Sequence, residues 1–346
     1  MVSSLLGKTR LIKQLYRILG LAIILGSFLA FVWVLWTAIG SANGLEPDRW
    51  IPIIGATVLH FLMLFFLMAL WERVLTLCRT SRDGSSSTIT SKSNLYTAYS
   101  RSWLARYIPG RIWSMAGRTI LVGRLGIPAN QIARSIIIEV VLAYGMLTII
   151  SITVLSWVYL HPILAFIILT ASVFLFGGAL IKIGAISTDD GTQTLQIPLA
   201  RMVIRRVARL LYGGSSFSNT TTIKGLGFYG SYALMQLVFI VLIAASFSDL
   251  TVSKMAVIAG AWGISLTVGW LSVLPPVGLG ARDGLAFVLF SQVIDLHAAS
   301  SIVVASRLVM LSTDLAFVIA VESTSKINMK SALFKNRFSK VSRLKI

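Results

Sequence analysis

The sequence contains few charged residues for its length. Asp, Glu, Lys and Arg make up 12% of its 346 residues, against about 25% in soluble globular proteins. The one cysteine, Cys78, excludes an internal disulfide, and His60, His161 and His297 lack metal-ligand spacing; the first two are interpreted as interfacial side chains. Phosphate-binding Gly-rich loops, dinucleotide fingerprints and GxSxG motifs are absent. We therefore expect no cofactor, no metal site and no enzyme activity.

Long apolar runs dominate what remains. Hydrophobic residues make up 56% of the chain, and the mean hydropathy is +0.84. Because a hydrocarbon core of about 30 Å requires about 20 helical residues, the runs predict an all-α integral membrane protein with a single polytopic domain, 1–346. The expected number of transmembrane helices is about eight, the seventh being short, at 18–40, 51–71, 135–157, 162–181, 226–247, 255–273, 281–294 and 300–321.

Basic residues outnumber acidic ones, 31 to 12, and their distribution predicts the topology. With eight spans and a cytoplasmic N-terminus, only Arg49 and Lys254 lie in outside connections, and Arg307 lies inside a span. All other basic residues then face the cytoplasm, as the positive-inside rule requires. The sequence thus predicts a multi-pass protein of the cytoplasmic (inner) membrane with both termini inside. Basic residues placed between apolar runs argue against nucleic-acid binding.

Three cytoplasmic segments are expected. They are a loop that includes a re-entrant segment at 72–134, a basic loop at 183–224 and a basic tail at 323–346. Within the second, arginines alternate with apolar residues between 199 and 211, as in an amphipathic helix on an anionic leaflet. A solvated loop that only sets topology explains the same pattern.

A first break interrupts the segment 106–118. Pro109 and Gly110 disfavour continuous helix there, and a helix can resume after them. Arg111 and Arg118 are seven residues apart and so share one face of that helix. The segment is too polar to span and too apolar for a solvated loop, which favours a re-entrant or interfacial helix.

A second break occurs at 274–284, before a short apolar run. Pro276, Gly278 and Gly280 indicate irregular backbone at membrane depth, where it must be buried in protein or line a watery cavity. Free amides at a helix N-terminus favour an anion, and Arg282 adds positive charge. Because the two breaks lie in opposite halves of the chain, an inverted repeat is a hypothesis.

Charged residues also occur inside predicted spans. Intramembrane charges are costly and should face a protein interior or a cavity, preferably in pairs. One interpretation makes Arg307 an anion contact, with Glu139, Asp283 and Asp314 as its ion-pair partners or as proton-coupling groups. The other interpretation is a set of internal salt bridges that only orient helices.

The two broken segments, Glu139 and Arg307 together resemble the transmembrane region of lysylphosphatidylglycerol synthases, over about residues 10–325. Stand-alone members of that family lack the synthase domain. The resemblance implies lipid-flippase activity, and polysaccharide-associated members imply lipid-linked sugar or polyprenyl-phosphate substrates. Asp283 stands where the commoner family pattern has Glu, and Val277 where it has Gly.

These observations predict a transporter or flippase for an anionic lipid or a lipid-linked precursor of the envelope or of polysaccharide. The expected phosphate ligands are Arg111, Arg118, Arg282 and Arg307, and the two backbone breaks would gate access. The expected partners of the protein are anionic membrane lipids, lipid-linked saccharides and glycosyltransferases. The alternative is a membrane-embedded transferase, or an accessory subunit of a glycosyltransferase in cell-envelope polysaccharide synthesis.

Overall fold

The computed structural model describes residues 49–80, 92–107, 112–188, 219–271 and 280–343, and their regular structure is entirely helical. A 3-10 turn at Ala105–Tyr107 extends the second helix. The helices are α1 (Trp50–Thr80), α2 (Lys92–Leu104), α3 (Ile112–Gly123), α4 (Ala129–Tyr159), α5 (Pro162–Thr188), α6 (Asn219–Ala244), α7 (Val252–Leu271), α8 (Ala281–Phe290) and α9 (Leu296–Arg343).

Six of these helices, α1, α4, α5, α6, α7 and α9, are long and apolar enough to cross a membrane. They confirm a multi-pass helical protein and match six of the predicted spans. The first predicted span, 18–40, lies outside the described residues. The seventh, 281–294, contains the ten-residue helix α8, which at 1.5 Å per residue is about 15 Å long, half of a hydrocarbon core. The total of eight spans and the inverted repeat stay predictions.

Several helices extend beyond the predicted span boundaries. Helix α1 continues to Thr80, α6 begins at Asn219, and α9 continues through the expected basic tail to Arg343. The span boundaries stay predictions, because a drop in hydropathy marks the edge of the membrane and does not interrupt the backbone hydrogen bonding of a helix. The basic alternation at 199–211 lies outside the described residues.

Helix α4 lies at the centre of the bundle and contacts α1, α5, α6 and α7. Its approach to α7 depends on glycine. A Cβ atom at Gly260 would lie 2.5 Å from Leu155 Cγ, and one at Gly263 would overlap the Ser151 hydroxyl. Small residues allow this close packing of helix backbones, which is a usual way for membrane helices to associate.

Helices α2 and α3 form a hairpin that packs against α4 and α9. The described part of the hairpin runs to Tyr107 and continues from Ile112, and the predicted break at Pro109 and Gly110 lies outside the described residues. The Tyr107 end of the hairpin contacts Asp314, a residue near the middle of the apolar stretch Leu296–Ser325 of α9. The hairpin therefore reaches the same depth as the centre of a potential membrane span.

Large apolar side chains are exposed on the outside of the bundle. Helix α5 is the least covered, and Phe166, Phe174 and Leu175 are exposed on it. Large exposed apolar surfaces are rare on soluble monomers and are expected where lipid is the solvent. The outer surface thus agrees with the membrane-length helices.

Candidate functional site

A cavity of about 150 Å³ lies inside the bundle and is bordered by every described helix except α5. This volume is several times the roughly 30 Å³ that one water molecule occupies. Most of the lining is apolar, while aromatic and polar side chains enter from different helices. The aromatic ones are Trp103, Tyr144, Tyr232 and Trp270, and the larger polar or charged ones are His60, Arg106, Arg118, Glu139, Gln236 and Arg282.

The first arginine of the cavity, Arg118, joins α3 to α4 through an ion pair with Glu139. Its guanidinium also stacks over the rings of Tyr99, at 4.2 Å, and Trp71, at 5.0 Å. The Tyr99 hydroxyl donates to Glu139 at 3.3 Å. A buried charge is tolerated when it is paired and hydrogen-bonded, as both charges of this pair are.

A second ion pair joins the hairpin to α9. Arg106 lies 3.0 Å from the carboxylate of Asp314, which also accepts hydrogen bonds from Trp103, at 2.8 Å, and from Tyr107. The Arg106 guanidinium packs over the Trp103 ring at 4.6 Å. Asp314 shares a stripe of α9 with Arg307, yet the structure pairs it with the hairpin arginine.

Arg307 forms a third ion pair, with Asp283 of α8. Its Nε lies 2.9 Å from one carboxylate oxygen and its Nη2 lies 2.6 Å from the other, which is a bidentate arrangement. Arg307 is not among the described cavity-lining residues. The structure therefore gives this predicted anion contact a carboxylate partner and places it behind the wall of the cavity.

The fourth arginine, Arg282, has a different environment. Its side chain is only 3% exposed, and its guanidinium lies 4.4 Å from the centre of the Trp262 ring. Nη2 donates to the Met310 sulfur, a weak acceptor, at 3.4 Å, while Nε makes no hydrogen bond. The nearest carboxylate oxygen, on Asp283, is 3.5 Å away and is held by Arg307. Arg282 thus faces the cavity without a hydrogen-bonded carboxylate.

Backbone geometry fixes Arg282 in this position. Gly280, just before α8, adopts a φ of 88°, a left-handed conformation that glycine accepts without steric cost. Helix α7 approaches the beginning of α8 so closely that a Cβ at Gly269 would lie 2.5 Å from Arg282 Cβ. The start of α8 is thus held by direct contact with α7.

The described part of the chain brings together four arginines and three carboxylates around the cavity. One positive charge is therefore left over in a largely apolar enclosure. Of the predicted site residues, Arg118, Arg282 and Glu139 line the cavity, and Asp283, Arg307 and Asp314 pair beside it. Five others lie outside the described residues, namely Arg111, Pro109, Gly110, Pro276 and Gly278.

Sequence reasoning missed three polar residues of the cavity. Arg106 stood in the first broken segment but was not selected, and Gln236 lies within the apolar run of α6. His60, interpreted above as interfacial, is buried: its Nδ1 lies 2.7 Å from the Thr313 hydroxyl and its ring packs against Phe239. A lone polar residue within an apolar run was the available signal for Gln236 and His60.

No protein-family model, curated protein or solved structure matches this chain. Within the described residues no group of three or more His, Cys, Asp and Glu side chains is arranged to hold a metal ion.

Proposed function

We propose that the protein is a transporter or flippase of the cytoplasmic membrane for an anionic lipid or a lipid-linked precursor of the polyprenyl-phosphate type. In this proposal both termini face the cytoplasm and α2–α3 is a re-entrant hairpin. The lipid phosphate enters the cavity while the acyl or prenyl chain stays among the helices. A charged head group crosses hydrocarbon only at a high energetic cost, so a polar cavity between membrane-length helices provides a route.

The observation that carries the proposal is the state of Arg282. It is buried and faces the cavity, and its nearest carboxylate oxygen is 3.5 Å away, whereas Arg106, Arg118 and Arg307 each have a carboxylate oxygen within 3.0 Å. Leaving a buried charge incompletely paired is unfavourable, so an anion is the expected complement. A phosphate oxygen is a strong acceptor for guanidinium groups, which favour phosphate recognition.

The hairpin and α8 supply the moving parts in this proposal. Both elements reach into the bundle. Beside the cavity, the Arg106–Asp314 pair joins the hairpin to α9 and the Arg307–Asp283 pair joins α8 to α9. Separation of either pair would open the cavity on one side and let a head group pass. The resemblance to the transmembrane region of lysylphosphatidylglycerol synthases supports the same class of activity.

A transferase activity is less favoured by the same geometry. General acid–base catalysis needs a carboxylate or another base that is positioned to take a proton. Around the cavity the described acids Glu139, Asp283 and Asp314 each pair with an arginine, so their carboxylate oxygens are already engaged. The arrangement suits binding and release of an anion better than bond-making.

The proposal is tested with purified protein in vesicles that contain a fluorescent phosphatidylglycerol or, separately, a fluorescent prenyl phosphate. A membrane-impermeant reductant bleaches the label that reaches the outer leaflet. We expect the protein to expose inner-leaflet label, and Arg282→Gln to slow exposure at least about tenfold, because hydrogen bonds to a charged group contribute about 1.5–3 kcal/mol.

Arg49→Gln is the matched control. Arg49 precedes α1, and its exposed side chain pairs with Asp249 away from the cavity, the hairpin and α8. This variant should retain the wild-type rate. Label exposure no faster than in protein-free vesicles, with both lipids, would refute the proposal.

A further inference from the structure

The side-chain carbonyl oxygen of Gln236 is an unused polar atom in the cavity wall. Gln236 is 5% exposed and lies in an apolar stretch of α6. Its amide nitrogen donates to the Tyr232 hydroxyl oxygen at 2.9 Å, whereas its carbonyl oxygen has no partner. Burying an amide group without a hydrogen bond costs about 1–3 kcal/mol, so a bound molecule is expected to supply the missing one.

The surrounding charges restrict what this bound molecule can be. Arg106 and Arg282 both line the cavity that Gln236 borders, so two guanidinium groups face whatever the cavity holds. The carboxylates around the described cavity are already bound to arginines. An ammonium group would thus meet guanidinium charges at short range with no uncommitted carboxylate among the described residues, which is electrostatically unfavourable.

Within the described residues, Trp103, Tyr144 and Trp270 do not form a cage for a cation either. The face of Trp103 is covered by the Arg106 guanidinium, and Tyr144 and Trp270 stack on each other with centroids 5.2 Å apart. A cage for an ammonium group requires open ring faces around one point. These rings instead give flat apolar walls next to polar atoms, as a polyol requires.

We propose that the cavity selects a lipid whose head group joins a phosphate to neutral hydroxyl groups and carries no amine. Arg282 binds the phosphate and the Gln236 amide binds a hydroxyl. A hydroxyl both donates and accepts, so it satisfies a primary amide in either orientation, whereas an ammonium group only donates. This inference rests on the proposed function and names the substrate class of the same cavity.

The test is competition among lipids of identical acyl chains. The full-length protein is purified in detergent, incubated with an equimolar mixture and analysed by native mass spectrometry of the lipid-bound species. Phosphatidylglycerol carries a glycerol head group and phosphatidylinositol carries a ring polyol. Phosphatidic acid has a phosphate but no alcohol group attached to it, and phosphatidylethanolamine carries an amine. Comparing phosphatidylglycerol with phosphatidylinositol distinguishes a linear polyol head group from a ring polyol head group.

We expect wild-type protein to retain phosphatidylglycerol or phosphatidylinositol at least about tenfold over phosphatidylethanolamine. Gln236→Leu should lower retention of the preferred hydroxylated lipid, relative to phosphatidic acid, about three- to tenfold, the effect of one hydrogen bond. Ser231→Ala, on the exposed side of the same helix, should leave that ratio unchanged.

Equal retention of phosphatidylethanolamine and the hydroxylated lipids by wild-type protein would overturn the inference, as would an unchanged ratio in folded Gln236→Leu. The wild-type comparison needs no variant, so it decides the question even if Gln236→Leu fails to fold. A result that overturns this inference alone would still leave lipid transport detectable in the vesicle assay. Failure of the proposed function would instead appear as absence of transport for every lipid.

Discussion

At the residue scale, the buried carboxylates hold the arginines of the cavity in place. The Asp314 carboxylate is fully buried. It pairs with Arg106 and accepts hydrogen bonds from Trp103 and Tyr107. Burial makes each charge dependent on its partner, because removing one leaves the other uncompensated in an apolar enclosure. The Arg106–Asp314 pair is thus expected to be structural as well as to shape the cavity.

Asp314→Asn should strongly destabilise the protein. The change leaves the Arg106 guanidinium buried without a carboxylate, and breaking buried pairs in this way costs about 3–5 kcal/mol. Thermal unfolding in detergent should show a large fall in the midpoint temperature. The control is Asp249→Asn, whose exposed pair with Arg49 is worth at most about 1 kcal/mol. Equal midpoints for the two variants would contradict this role of Asp314.

The sequence indicated some residues of the cavity but not their pairing. Glu139 and Arg282 could be selected because charge and broken backbone inside apolar runs are costly and require a reason. Arg106 was missed, since a basic residue beside a break is also explained by topology. Its partner Asp314 is 208 residues away, and no local pattern relates the two.

At the element scale, the contact between α4 and α7 determines how the cavity wall is assembled. Glycines on α7 let the two helices approach until a Cβ at Gly263 would overlap Ser151, and Leu147 Cδ1 would lie 3.2 Å from it. The same helix α7 contributes Leu266 and Trp270 to the cavity. A change in this contact is therefore expected to displace cavity-lining residues.

Gly263→Ala should destabilise the bundle by about 1–3 kcal/mol, because overpacking a tight contact forces side chains or backbone to shift. A lower midpoint of thermal unfolding in detergent would report the effect. Gly178→Ala, in α5, serves as the control, since an added Cβ there has no atom within 4 Å. Gly263→Ala with the stability of Gly178→Ala would show that the helices separate without cost.

The elements themselves were largely predictable. Apolar length identifies helices such as α4 and α7, because a bilayer sets a minimum length for a span. The break at Pro109 and Gly110 stays a prediction from proline and glycine chemistry, because it lies outside the described residues. Helix ends were not predictable, since α9 continues from apolar into basic sequence without a residue that stops a helix before Arg343.

At the scale of the whole molecule, the cavity exists only because distant segments meet. The hairpin, α4, α6 and α8 each contribute a polar group, and α9 contributes the carboxylate that holds Arg106. The sequence predicted a membrane bundle with several costly charges. It offered Asp283 as one of three partners for Arg307, but it could not predict which of the three would pair and so leave Arg282 facing the cavity, because that choice depends on helix packing.

The central claim is that this cavity holds a lipid phosphate against Arg282. A cryo-EM reconstruction of the protein in nanodiscs of phosphatidylglycerol tests it most directly. The account predicts phosphate density within the cavity, at hydrogen-bond distance of about 3 Å from the Arg282 guanidinium, with the lipid chains leading outward between helices. A cavity that holds only water, with every resolved phosphate at the outer surface of the bundle, would contradict it.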